Sequence, residues 1–102
     1  MPIKVVIKKS DAKGKKYKAE FLEPPYTKVF RTVNFGSTGY QDYTTFPASI
    51  REDKKKSYLS RHEKRENWND KFSAGALSRW ILWNKPSLQA SINDYKKRFK
   101  LI

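Results

Sequence analysis

The sequence contains no cysteine and only one histidine, His62. The absence of cysteine excludes disulfide bridges, thiol nucleophiles and cysteine-based zinc sites, and it is typical of a reducing compartment. A lone histidine cannot complete a histidine-based metal site. His62 and Glu66 are spaced to share one helix face, but flanking cations favour a packing or hydrogen-bonding role over general-base catalysis. We therefore predict a protein that is not an enzyme and needs no metal and no cofactor; a nuclease remains a minor alternative.

Long apolar runs are also missing. The longest compact apolar patch, Trp80-Ile81-Leu82-Trp83, is only four residues long, whereas a membrane-spanning helix needs roughly 20 apolar residues. Lysines interrupt the first nine residues where a secretion signal has an unbroken apolar core. We expect a soluble protein that is neither exported nor membrane-anchored.

Acidic residues are scarce: ten Asp and Glu stand against 23 Lys and Arg, giving a net charge of +13 on 102 residues. Residues 1–22 carry seven lysines and two acids, and residues 71–102 carry seven cations and only Asp94. A charged surface that serves only structure usually mixes both signs, because like charges repel. The excess therefore favours a surface that contacts a polyanion over one that serves solubility alone.

Hydrophobic periodicity predicts one α+β domain over residues 1–102. Apolar residues alternate over 3–9, 17–23 and 28–35, which predicts an antiparallel hairpin or three-stranded sheet, and residues 40–46 are a candidate extended piece. Helices are expected over 48–65, with Pro47 in the first turn, over 73–84 after a capping turn at 67–70, and over 87–99. Residues 1–46 are thus mostly β and residues 47–102 mostly α, with two to three helices.

The aromatic residues divide into core and surface candidates. Trp80 and Trp83 lie on the apolar face of their predicted helix, so we assign them to the core. Trp68 lies in a polar turn and is the candidate for stacking on a base. Tyr26, Tyr40 and Tyr43 lie in a segment of balanced charge that suits a protein–protein surface.

Four runs of the chain carry a family resemblance: residues 35–44, 58–68, 73–86 and 95–99. Together they resemble a family of small basic proteins encoded by large double-stranded DNA viruses of algae and amoebae, the chloroviruses among them. That family has no assigned activity, so the resemblance implies a viral origin and a virion component but transfers no catalytic or binding residue. It also implies a location in the virion and inside the infected host cell, in cytoplasm or nucleus.

Charge and resemblance together predict a non-enzymatic viral protein that binds the DNA backbone without sequence specificity, in genome packaging or condensation. The expected partner is double-stranded DNA or another polyanion, with no membrane. The alternative is a minor capsid or cement protein, whose cations meet acidic capsid proteins while segment 24–46 docks by apolar contact. The DNA hypothesis requires the cations of the hairpin and of the last helix to lie together and face outward. The predicted phosphate contacts are Lys13, Lys15, Lys16, Arg79, Lys85, Lys96, Lys97, Arg98 and Lys100.

Overall fold

The computed structural model describes residues 2–102 and has the predicted α+β architecture. Its strands are β1 (Lys4–Lys9), β2 (Lys15–Leu22) and β3 (Val29–Ser37), which form one antiparallel sheet in the order β1-β2-β3. The helices that follow are α1 (Ala48–His62), α2 (Ala74–Leu77), a π-helical turn (Ser78–Leu82) and α3 (Leu88–Arg98).

One face of the sheet is buried, as the period-two pattern predicts. Val5 pairs with Phe21 across β1 and β2, Tyr17 pairs with Phe35 across β2 and β3, and Val5, Phe21 and Phe35 are buried. The helical half of the chain covers this face with large side chains. The Phe72 ring, from the turn before α2, meets the Phe21 ring edge-on at 4.8 Å between centroids. A small domain with few aliphatic residues thereby obtains its buried area from aromatic rings.

Gly36 belongs to β3, which continues beyond the predicted end at residue 35. It adopts φ +77°, which glycine tolerates because it has no Cβ, and pairing continues until Lys15 meets Ser37. A Cβ at Gly36 would lie 2.8 Å from Leu82 Cδ1. The sheet therefore packs against Leu82 of the π-helical turn at a residue that has no side chain.

The prediction that residues 40–46 form an extended piece is wrong. The Asp42 carbonyl accepts hydrogen bonds from the N–H groups of Thr45 and Phe46 at 3.0 and 2.9 Å. The Asp42 carboxylate accepts another from the Thr44 N–H at 2.9 Å. Because these hydrogen bonds are local, residues 42–46 form a turn instead of pairing with a neighbouring strand.

The helix boundaries differ from the predicted ones at several places. Pro47 is the N-cap of α1 rather than a residue of its first turn, and α1 ends at His62. The second helix is capped by Ser73, whose hydroxyl accepts from the Ala76 N–H, and not by the turn at 67–70. After Leu77 the helix widens, because the Trp83 N–H bonds to the Ser78 carbonyl five residues back.

The C-terminus adds one pairing to the outer edge of β1. The Val5 N–H donates to the Ile102 carbonyl, and the Ile102 N–H donates to the Ile3 carbonyl, both at 3.0 Å. The end of the chain is thereby fixed beside the start of β1. Within residues 2–102, no helix is both long and apolar enough to cross a membrane.

Candidate nucleic-acid interface

Most of the cations have no carboxylate partner. Among the described residues, four of the 23 Lys and Arg side chains lie within 4.0 Å of an acidic oxygen. The four are Lys8, Lys16, Lys18 and Arg98. The remaining 19 cations have no such partner among the described residues, so ion pairing within the fold leaves most of the positive charge of the sequence uncompensated.

The solvent-facing side of the sheet is an exception, because charges of both signs meet there. Lys8 Nζ lies 2.8 Å from Glu20 Oε1, and Lys18 Nζ lies 3.8 Å from Glu20 Oε2 and 3.5 Å from Asp11 Oδ1. The hydrogen bond from Lys8 lowers the pKa of Glu20. This side of the hairpin is therefore nearly neutral and offers little to a phosphate.

Lys16 belongs to the predicted phosphate contacts, but the structure places it in an internal ion pair. Its Nζ lies 2.7 Å from Asp42 Oδ2. Asp42 is buried, and the Lys16 side chain is only 18% exposed. The spacing of 26 residues between the partners gives no local sequence signal, which is why the pairing was not predicted. Lys16 is accordingly not an outward-facing cation.

Arg79 is likewise turned inward, and its guanidinium contacts the ring of Trp68, the residue predicted to stack on a base. Its guanidinium lies 5.4 Å from the centroid of Trp68 and 4.2 Å from that of Trp80. It also donates to the Trp83 carbonyl at 2.7 Å, and burial lowers its pKa. Trp68 is half-buried and its Nε1 donates to Glu66 Oε1 at 2.9 Å. Both side chains are thus committed to contacts within the fold.

The other predicted contacts, apart from Lys85, form two separate groups. Lys13 and Lys15 are exposed at the β1–β2 turn. Lys96, Lys97, Arg98 and Lys100 lie at the C-terminal end of α3, which we name the α3 cluster, and Lys85 is exposed in the loop before α3. The pairing of Ile102 with Ile3 and Val5 places the α3 cluster at the start of β1. Lys13 and Lys15 follow the other end of β1, which lies about 15–20 Å from its start at a rise of 3.3 Å per residue. The expectation that these cations lie together is therefore wrong.

Within the α3 cluster, Arg98 differs from the lysines. Its Nη2 lies 3.4 Å from Asp94 Oδ2, and its guanidinium lies 3.6 Å from the centroid of the Trp80 ring. Arg79 and Arg98 thus both stack on Trp80. Lys97 and Lys100 are exposed and Lys96 is half-buried, and these lysines have no carboxylate within 4.0 Å among residues 2–102.

A cleft of about 690 Å³ lies between the β2–β3 end of the sheet and α1. Lys54, Ser57 and Arg61 line it from one face of α1, since residues three and four apart are neighbours on a helix. Lys15 and Tyr40 line it from the sheet side. Its cationic wall was not singled out from the sequence, because Glu52 and Asp53 are interleaved with the lysines of α1 and make the helix resemble an ordinary solvated one.

The two acids that line the cleft, Asp42 and Glu66, already have partners within the fold. Asp42 is paired with Lys16 at 2.7 Å. Glu66 Oε2 lies 2.9 Å from His62 Nδ1, and its Oε1 accepts from Trp68. Lys15, Lys54 and Arg61, the cleft cations, are exposed and have no carboxylate within 4.0 Å among residues 2–102. The charged side chains of the cleft that are exposed are therefore all positive.

Aromatic rings line the same cleft. Trp83 stacks on Tyr58 at 4.3 Å between centroids with planes 7° apart, and Tyr58 stacks on His62 at 4.2 Å. Burial and the nearby Glu66 carboxylate raise the pKa of Tyr58. Tyr40, in contrast, is 75% exposed and makes no ring contact with the described residues. Tyr40, rather than Trp68, is the ring available for stacking.

His62 has the packing and hydrogen-bonding role favoured from the sequence. It is held between the Tyr58 ring and the Glu66 carboxylate. Within residues 2–102, no group of three or more His, Cys, Asp or Glu side chains is placed to hold a metal ion.

Comparison with known proteins gives one match. Residues 5–62 match the model of a family of unknown function (DUF5754), which is more than half of the chain, so this protein belongs to that family. The matched region runs from β1 to the end of α1 and includes the cleft cations. No curated protein and no solved structure matches the chain.

Proposed function

We propose that this protein binds the phosphate backbone of double-stranded DNA without reading its sequence, and that it acts in packaging or condensing a viral genome. The observation that carries the proposal is the set of 19 cations without a carboxylate partner among residues 2–102. The viral setting, in the virion and the interior of the host cell, is supported only by the resemblance of residues 35–99.

Binding of this kind is driven by counterion release. Each lysine or arginine that neutralises a phosphate frees a condensed cation from the DNA, so affinity falls as salt rises. The α3 cluster suits this role because three of its lysines have no acidic partner to compete with a phosphate. Cations at the C-terminal end of a helix are also favoured by the helix dipole, which keeps the cluster compatible with a stable α3.

The experiment is a salt titration with two labelled duplexes of equal length and unrelated sequence. We expect equal dissociation constants for the two duplexes at each salt concentration. If about six phosphates are contacted, a plot of log K against log salt should have a slope of about −5. A strong preference for one duplex, or no binding at low salt, would exclude backbone binding as the function.

A second candidate function is supported by a different observation. Val29 and Phe30 are 42% and 45% exposed at the start of β3, and the outer edge of β3 has no strand partner within residues 2–102. An exposed apolar edge suits docking onto another protein, which is the behaviour of a minor capsid or cement component. Separating purified particles into shell and nucleoid tests it, because a cement protein leaves with the shell and a genome-bound protein does not.

A further inference from the structure

We propose that the cleft between α1 and the β2–β3 end of the sheet is a binding site for a nucleoside phosphate, either one unit of a single strand or a free nucleotide. The cleft cations hold the phosphate, and Tyr40 stacks on the base. This inference rests on the proposed function in one respect: it takes the unpaired cations to be phosphate contacts. The inference adds the cleft as a site beside the α3 cluster, and it adds an unpaired nucleotide as a ligand beside double-stranded DNA.

The size and composition of the cleft fit such a ligand. Its volume of about 690 Å³ lies in the range of small-ligand sites, about 300–1,000 Å³. Lys15, Lys54 and Arg61 approach it from two different elements, so an anion between them meets positive charge from both walls. Arginine adds a planar pair of donors that matches phosphate oxygens.

The polar groups in the interior of the cleft already have partners, which leaves the exposed cations at its opening to bind the ligand. The Lys16–Asp42 pair and the His62–Glu66–Trp68 hydrogen bonds satisfy the polar groups on its inner side. Trp83 and Phe46 add apolar surface there, and Lys54 Nζ lies 5.7 Å from the centroid of the Phe46 ring. A phosphate is therefore directed to the exposed cations, while an aromatic base meets rings.

Tyr40 gives this site a contact that a purely electrostatic phosphate site lacks, because its ring can stack on a base. Its side chain lines the cleft and is 75% exposed, and both faces of its ring are free of aromatic and cationic neighbours among residues 2–102. Stacking of a base on an exposed aromatic ring does not depend on base identity, because every base has a π-face. A double helix keeps its bases stacked on one another, so only an unpaired base is available to Tyr40.

The test compares labelled (dT)8, AMP, inorganic phosphate and a blunt duplex as ligands. The Tyr40→Ala variant should weaken (dT)8 binding by about five- to hundredfold, as loss of one stacked base predicts, whereas Tyr40→Phe should retain it. The Lys54→Gln/Arg61→Gln variant should weaken (dT)8 binding more than the charge-matched control Lys9→Gln/Lys28→Gln, whose lysines lie outside both the cleft and the α3 cluster. All four positions are exposed, so these variants should fold.

The outcomes separate this site from the proposed function. Binding of AMP that depends on Tyr40 supports the site with free nucleotide as its ligand, and binding of (dT)8 alone supports it with a strand as its ligand. Cleft-dependent (dT)8 binding without any duplex binding supports the site while removing the proposed function. Equal (dT)8 affinity of Tyr40→Ala and the unaltered protein overturns the site, even if duplex binding holds.

Discussion

Lys16 and Asp42 form an ion pair that joins β2 to the turn at residues 42–46, with Nζ 2.7 Å from Oδ2. The Asp42 side chain is 4% exposed and also accepts from the Thr44 N–H. The pair therefore has two consequences. It holds the turn at residues 42–46 against β2, and it removes Lys16 from the exposed cations.

The first prediction concerns this pair. The Asp42→Ala variant should lose about 3 kcal/mol of unfolding free energy, because removing one partner of a buried pair leaves the other charge unpaired. Urea denaturation measures the loss. The control is Lys13→Ala, at an exposed position of the β1–β2 turn, which should change stability by less than about 0.5 kcal/mol. Equal stabilities of the two variants would show that the pair contributes nothing.

The second prediction uses two glycines with the same backbone conformation. Gly14 and Gly36 have φ +82° and +77°, but a Cβ at Gly14 has no atom within 4 Å, whereas one at Gly36 meets Leu82 Cδ1 at 2.8 Å. Gly14→Ala should cost only the left-handed backbone penalty, about 1–2 kcal/mol. Gly36→Ala should cost roughly 1–3 kcal/mol more because it overpacks the core. Thermal unfolding of both variants tests this difference, and an equal cost would contradict the close packing of β3 on the π-helical turn.

The third prediction concerns the end of α3. Lys100 has φ +54°, the Leu101 N–H donates to the Lys96 carbonyl at 2.8 Å, and the Lys100 N–H donates to the Lys97 carbonyl. This is a Schellman motif with a lysine at the position that glycine prefers. Lys100→Gly should therefore raise the unfolding free energy by about 0.5–1 kcal/mol, as measured by urea denaturation. A loss of stability would show that the left-handed conformation of Lys100 is not under strain.

The fourth prediction concerns alkaline pH. Burial raises the pKa of Tyr58 and of Tyr95, and a hydrogen bond to Glu52 together with burial raises that of Tyr43. The folded state therefore retains phenolic protons that the unfolded chain loses, so these groups make stability fall as pH rises above about 10. Burial lowers the pKa of Lys55, so this group makes stability rise with pH just below its ordinary pKa, opposite to the tyrosines.

Circular dichroism and the 295 nm absorbance of tyrosinate should change together in one alkaline transition. Tyr58→Phe removes one of the three groups and should move the transition to higher pH. A transition whose position is the same in this variant would show that Tyr58 ionisation does not drive unfolding.

The sequence predicted the sheet and the order of elements because those depend on local periodicity. The alternation of Val5 with lysines, and of Tyr17, Ala19 and Phe21 with charged residues, is visible within each strand, and the observed register places these residues on one buried face. The turn at residues 42–46 was missed because its backbone is held by the Asp42 carboxylate, which propensity does not reveal.

The candidate site depends on contacts between distant residues, and these were predicted poorly. Nothing in the local pattern pairs Lys16 with Asp42, or inserts Arg79 between Trp68 and Trp80. Conversely, Lys54 and Arg61 belong to a helix of mixed charge, and only the tertiary fold brings them opposite Lys15. Charge composition predicts a polyanion as the ligand, and this stays a prediction, while the fold decides which cations are exposed.

The most direct test of the central claim is the change in salt slope when unpaired lysines are removed. A variant with Lys96→Gln, Lys97→Gln and Lys100→Gly removes three cations from the α3 cluster, and the last change should strengthen the helix end. If these lysines contact phosphates of a DNA duplex, the slope of log K against log salt should become less steep by about 0.9 for each lysine, or nearly three in all. An unchanged slope in a folded variant would contradict backbone binding through this surface.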